Sequence, residues 1–194
     1  MKGRHEANRQ GSRCPYCTCS SVEYRFFHVD RLGQRSHPER TTAIVSAIDV
    51  ARYILDKRGM MTAMKLQKLV YYSQAWSLVW DERPLFPEQI QAWMNGPVVR
   101  ELYDEHKGKF SLSALDIGGN PLLLDETAKE TIDAVLDFYG DKSAQWLSDL
   151  THKEAPWQRA REGVGVMDNS ERPIEHEWMA DYYMRVAQLT NASK

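Results

Sequence analysis

Apolar residues recur at helical spacing from residue 44 onward, and this divides the chain into a series of helices. Ile44, Ala47, Ile48, Ala51, Ile54 and Leu55 fall three and four positions apart, forming one stripe on a helix. Thr42 is placed to cap its start and Gly59 to end it. Thr62 is placed to cap a second helix with Leu66, Leu69, Val70, Ser73, Trp76 and Val79 on its inner face. The short link between the two predicts an antiparallel pair. Pro84 and Pro87 then stop the helical run. Ile90, Ala92 and Met94 alternate with Gln89, Gln91 and Trp93, which is the period of a short strand. Trp93 points outward if those three pack inward, and the alternative is that it packs beneath the second helix. Gly96-Pro97 is a turn signal, and Pro97 suits the first turn of a helix carrying Val98, Leu102 and Tyr103.

The second half follows the same logic. Gly118-Gly119-Asn120 between two apolar runs predicts a small hairpin within residues 111–124. Asp125 is placed to cap a helix with Ala128, Ile132, Val135, Leu136 and Tyr139 inward. Ser143 is placed to cap the next, with Trp146, Leu147 and Leu150 inward. A short segment follows around Pro156 and Trp157, and a last helix runs from near Pro173 through Trp178, Tyr182, Val186 and Leu189. The expectation is a mostly α fold, a single compact helical domain over residues 41–190 with about six helices and a minor short β element.

Residues 1–40 differ from the rest. They are rich in Arg, Ser, His and Gly, and their one apolar cluster is Tyr24, Phe26, Phe27 and Val29. Such composition reads as a disordered N-terminal extension. It is also the basic part of the chain, with eight Lys or Arg against four Asp or Glu. The remaining residues hold 17 basic and 23 acidic groups, so the domain is acidic and repels phosphate on average. Nucleic acid is therefore not an expected partner. No run of apolar residues is long enough to span a membrane, and no apolar h-region follows the basic N-terminus, so a cytoplasmic location with no membrane partner is expected.

All three cysteines lie in that N-terminal extension. Cys14 and Cys17 have the C-x-x-C spacing that aims two sulfurs at one zinc ion. Four ligands would require Cys19 and a histidine such as His28 or His37, at a spacing that matches no common finger. No βαβ unit accompanies the pair, as a thioredoxin-like redox role requires. No metal or other cofactor is expected, and Cys14, Cys17 and Cys19 are the weak candidates for one.

Inside the domain no phosphate loop, dinucleotide fingerprint, nucleophile elbow or zinc-protease motif occurs. Asp149, His152 and Glu154 are close in sequence, and an enzyme using His152, Glu154 and Lys65 is one reading. The other is that His152 and Glu154 are turn and capping residues beside Trp157. Six Trp and nine Tyr leave aromatic groups to spare. Trp76, Trp146 and Trp178 fall on inward faces. Tyr71, Tyr72, Trp80 and Trp93 are harder to bury together and suit a partner surface.

Met64-Lys65-Leu66-Gln67-Lys68-Leu69-Val70-Tyr71-Tyr72-Ser73-Gln74-Ala75-Trp76 resembles the signature helix of the Panacea domain, also called SocA-like or GepA-like. Asp49 to Leu55 resembles that domain's first helix. Pro84-Leu85-Phe86, Ile90 to Trp93 and Gly96-Pro97-Val98-Val99 resemble its central segment. Leu147-Ser148, Thr151-His152 and Glu154-Ala155-Pro156-Trp157 resemble its C-terminal block, and Ile174 with Tyr182-Tyr183 its tail, so the resemblance runs over residues 45–185. It implies a bacterial antitoxin that neutralises a co-encoded toxin by direct contact, without catalytic residues. The alternative is an adaptor that delivers its partner to a protease. Lys65, Tyr71, Tyr72, Trp93, Gly96, Pro97, His152 and Trp157 are the candidate partner-binding residues.

Overall fold

A computed structural model describes residues 44–168 and 170–192. Thr42 and the three cysteines lie outside the described residues. The first helix, α1 (Ala47–Arg58), begins where Ser46 and Asp49 cap each other, the Ser46 hydroxyl receiving Asp49 N–H and the Asp49 carboxylate receiving Ser46 N–H. Ile44 therefore precedes the helix and is 77% exposed, outside the buried stripe expected to include it. Gly59 ends α1 at φ 73°. After the two-residue strand β1 (Met61–Thr62), Thr62 caps α2 (Ala63–Trp80) by accepting Lys65 N–H.

Helix α2 is the axis of the fold. Every residue from Leu66 to Ser77 is buried, polar ones included, because α1, α4 (Glu126–Tyr139), α5 (Ala144–Thr151) and α7 (His176–Ala192) pack around it. A helix enclosed on all sides needs either apolar residues all round or satisfied polar ones; α2 uses both.

The segment after α2 forms an antiparallel hairpin, β2 (Ile90–Trp93) with β3 (Gly96–Val99), paired Ile90 with Val99 through Trp93 with Gly96. Gly96-Pro97 is thus strand and not a helix start, and α3 begins at Arg100, running Arg100–His106. Proline is tolerated here for a specific reason. Ala92, opposite Pro97, directs its N–H to Arg172 O and its carbonyl to the Arg161 guanidinium, so that pair needs no ladder bond from residue 97.

Residues 111–124 are not a hairpin. Strand β4 (Ser111–Leu112) pairs back with β1, and two 3-10 turns, Ala114–Asp116 and Pro121–Leu123, follow. Gly119 is pressed on α1 so closely that a Cβ there would lie 2.3 Å from Ile48 O, and Asn120 N–H bonds Asp49 at 2.6 Å. The glycine serves a close approach rather than a turn.

Asp125 and Ser143 cap α4 and α5 as expected. Trp146, expected inward, is 37% exposed, because the buried arc of α5 is Leu147, Ser148, Leu150 and Thr151. A short α6 (Ala155–Ala160) precedes α7, which begins at His176; Pro173 instead bridges to Gln91 beside β2. Trp178, Tyr182 and Val186 are partly buried against the core, as expected of the inner face of α7. Met179 and Tyr183 beside them are its fully buried residues among those described, and Leu189 is 70% exposed. The described residues hold seven α-helices, one more than expected, and two small sheets. The fold is mostly α, as expected. No helix among them is long and apolar enough to cross a membrane.

Candidate functional site

The polar residues of α2 act on the backbone of the chain itself. The Gln67 amide receives Val99 N–H at 2.9 Å and donates to Val99 O at 3.3 Å. The Lys68 ammonium donates to Pro97 O at 3.0 Å. Gln74 receives Leu85 N–H and Phe86 N–H at 2.9 and 3.1 Å and donates to Phe86 O at 3.1 Å. Ser77 donates to Arg83 O, and Lys65 to Gly140 O at the C-terminus of α4. Backbone groups of residues 83–99 that would otherwise be orphaned in the interior are satisfied this way.

Lys68 is 1% exposed, and burial lowers its amine to about 7. It lies against the hairpin turn. A Cβ on Gly96, whose φ is 100°, would stand 2.8 Å from Lys68 Nζ and from Thr151 Oγ1. This left-handed, sterically closed position accepts only glycine without strain.

A second buried polar group sits nearer α7. The Glu154 carboxyl receives Tyr183 OH at 2.8 Å and Tyr72 OH at 3.2 Å. Tyr72 stacks on Tyr139 at 4.1 Å, and Tyr71 meets Tyr183 edge-on. Burial raises Glu154 to about 8, which favours the neutral acid at pH 7. Burial likewise raises the Tyr71, Tyr72 and Tyr183 phenols well above their usual value.

The outer side of the hairpin is aromatic. Trp93 is half-buried, its Nε1 donates to Gln91 Oε1 at 2.7 Å, and its ring meets Tyr103 at 4.8 Å. The Trp157 indole donates to Trp93 O at 3.0 Å, and His152 stacks on Trp157 at 4.3 Å. Burial and the nearby Lys68 charge lower the His152 imidazole. Its Nε2 is buried with no hydrogen-bond partner among the described residues. Arg161, itself buried, lies over Trp157 and donates to Ala92 O, Gly165 O and Asp168 O, tying the 162–168 loop to β2.

Of the residues singled out in the sequence, Trp93, Gly96, Pro97, His152 and Trp157 converge on this hairpin. Three do not. Tyr71 and Tyr72 are wholly buried and belong to the Glu154 cage, and Lys65 caps α4. Glu154 caps nothing with its side chain, and the Lys65 ammonium is bound to Gly140 O. Lys68, Thr151 and Arg161 were not anticipated. Charged residues are almost never fully buried, so sequence reasoning sends Lys68 and Arg161 to the surface. The available signal was the apolar density around Lys68, with Leu66, Leu69, Val70, Tyr71 and Tyr72 leaving α2 no wet face. Among the described residues no cluster of His, Cys, Asp and Glu is placed to hold a metal ion.

Residues 66–158 match the family model described as Antitoxin SocA-like, Panacea domain. The matched span runs from the first turn of α2 to α6, covering Gln67, Lys68 and Gln74, the hairpin and Glu154, and is narrower than the 45–185 resemblance read from the residues. No curated protein and no solved structure gives a significant match to the chain.

Proposed function

We propose that this chain, which carries a Panacea domain of the SocA-like antitoxin family, is an antitoxin that neutralises a co-encoded toxin by binding it directly. The match to an antitoxin family carries this reading. The geometry agrees with it. The polar residues of α2 are occupied in holding residues 83–99, which stiffens the hairpin and leaves aromatic side chains, Trp93 and Trp157, half-exposed on its outer side. Rigid amphipathic aromatics are the side chains on which interface energy concentrates.

The test is co-purification with the product of the reading frame beside this gene, combined with toxin lifetime in cells. A stable complex with unchanged toxin lifetime supports sequestration. Neutralisation with neither a complex nor a changed lifetime refutes it, and a shortened lifetime assigns the chain to the protease-adaptor class instead.

A further inference from the structure

A concavity of about 260 Å³ opens beside β2, lined by Trp93, Arg100, Tyr103, Lys107, Ser170 and Glu171. Small-molecule sites usually enclose roughly 300–1,000 Å³, so this space suits a side chain of a protein partner better than a whole small ligand.

Its three kinds of wall differ in what they can accept. Trp93 and Tyr103 meet edge to face and form an aromatic floor. Trp93 is fixed from several sides, by Gln91 at its indole, by Trp157 at its carbonyl and by pairing with Gly96. A side chain already immobilised loses little entropy when a partner covers it. Arg100 lies over Trp93 and is paired with both Asp104 at 3.1 Å and Glu171 at 3.5 Å. An apolar group entering beside it strands no charge. Lys107 is exposed at the rim and has no ion pair among the described residues. Of the two cations lining the concavity, it is the one without an ion pair among the described residues.

Building on the antitoxin reading, we propose that this concavity receives the toxin through a segment bearing a large apolar or aromatic side chain beside a carboxylate. The apolar group packs on Trp93 and Tyr103, and the carboxylate pairs with Lys107.

The experiment is a calorimetric titration of the full chain with the product of the adjacent reading frame. The variants are Trp93→Ala, Lys107→Glu and, as a control elsewhere on the surface, Trp146→Ala, each with its own thermal melt. The expected result is binding at least about tenfold weaker for Trp93→Ala. Lys107→Glu is expected to bind at least about fivefold weaker and to lose the decline in affinity with added salt. Trp146→Ala is expected to bind as the wild type does. Because Lys107 is exposed, its substitution leaves the fold intact and keeps the test valid even where Trp93→Ala melts early. Equal affinity of wild type and Lys107→Glu, or unchanged affinity of the folded Trp93→Ala protein, overturns the assignment of this surface while leaving the antitoxin reading standing. No binding by the wild type removes the direct-binding reading and this inference with it.

Discussion

Replacing Glu154 by glutamine separates the energetic role of the buried acid from its shape. Burial raises its carboxyl from 4.5 to about 8. The folded protein therefore holds this proton more tightly than the unfolded chain does. Its stabilising effect is complete below pH 4.5 and is lost as pH rises towards 8. At about 1.4 kcal/mol per pH unit, that span amounts to about 5 kcal/mol, and the carboxyl is too deeply buried for solvent screening to reduce it much. Glutamine keeps an acceptor oxygen for one of Tyr72 and Tyr183, turns an amide N–H to the other hydroxyl, and has no proton to lose. Thermal melts of both proteins from pH 5 to pH 8 isolate the effect, because every other titrating group is common to the two. For a chain of this length about 1 kcal/mol shifts Tm by roughly 2–4 °C. The wild-type Tm is thus expected to fall by roughly 10 °C more than that of Glu154→Gln across the range. Parallel curves would show that Glu154 ionises without cost in the folded state and would refute the cage argument.

Lys68 works in the opposite sense. Its folded-state value is lowered to about 7 from 10.5, so the cost of the buried ammonium is greatest below pH 7 and is relieved as pH rises to 10.5. Lys68→Met, which removes that cost and leaves Pro97 O unpaired, is expected to raise stability by roughly 2–3 kcal/mol at pH 6 in urea unfolding, with the gain gone by pH 10. Gly96→Ala forces a left-handed backbone on alanine and drives Cβ into Lys68 and Thr151, so a loss of at least about 3 kcal/mol is expected in the same assay. Deleting residues 1–40 leaves the Ser46–Asp49 cap of α1 in place, so Tm is expected to stay within a few degrees; a larger drop, or stoichiometric zinc lost with the deletion, would assign those residues a metal-binding role.

Local chemistry was legible in the sequence wherever one residue decides an outcome. Gly59, Thr62, Asp125 and Ser143 mark helix ends because caps act over three or four positions. Outcomes that depend on partners distant in the chain were not legible. Pro97 reads as a helix start until Arg161 and Arg172, more than sixty residues on, are seen to occupy the backbone of Ala92. Gly118-Gly119-Asn120 reads as a turn until α1 is found against it. Tyr71 and Tyr72 look like spare interface aromatics because nothing in their neighbourhood announces that Glu154 and Tyr183 enclose them.

The spacing of the two buried glutamines explains why α2 carries polar groups in the interior at all. Gln67 and Gln74 are seven residues apart, which is about two helical turns and about 10 Å along the axis, so both lie on one face. Gln67 binds both backbone groups of Val99, and Gln74 binds Leu85 N–H and both backbone groups of Phe86. The two ends of the intervening chain are thus held at a fixed separation, with Lys68 fixing Pro97 between them. Apolar contacts alone tolerate small slips, because burial is non-directional. A slip of one residue at either glutamine would break paired amide bonds in a dry interior, where each unsatisfied group costs about 1–3 kcal/mol. Directional bonds therefore determine where the β2–β3 turn stands and, with it, where Trp93 projects. On this argument the buried polar residues Gln67, Lys68 and Gln74 bear on the proposed partner surface only through the hairpin they hold. Substitutions at Gln67, Lys68 or Gln74 are expected to act on binding through the placement of the hairpin, whereas those at Trp93 and Lys107 are expected to act at the proposed contact.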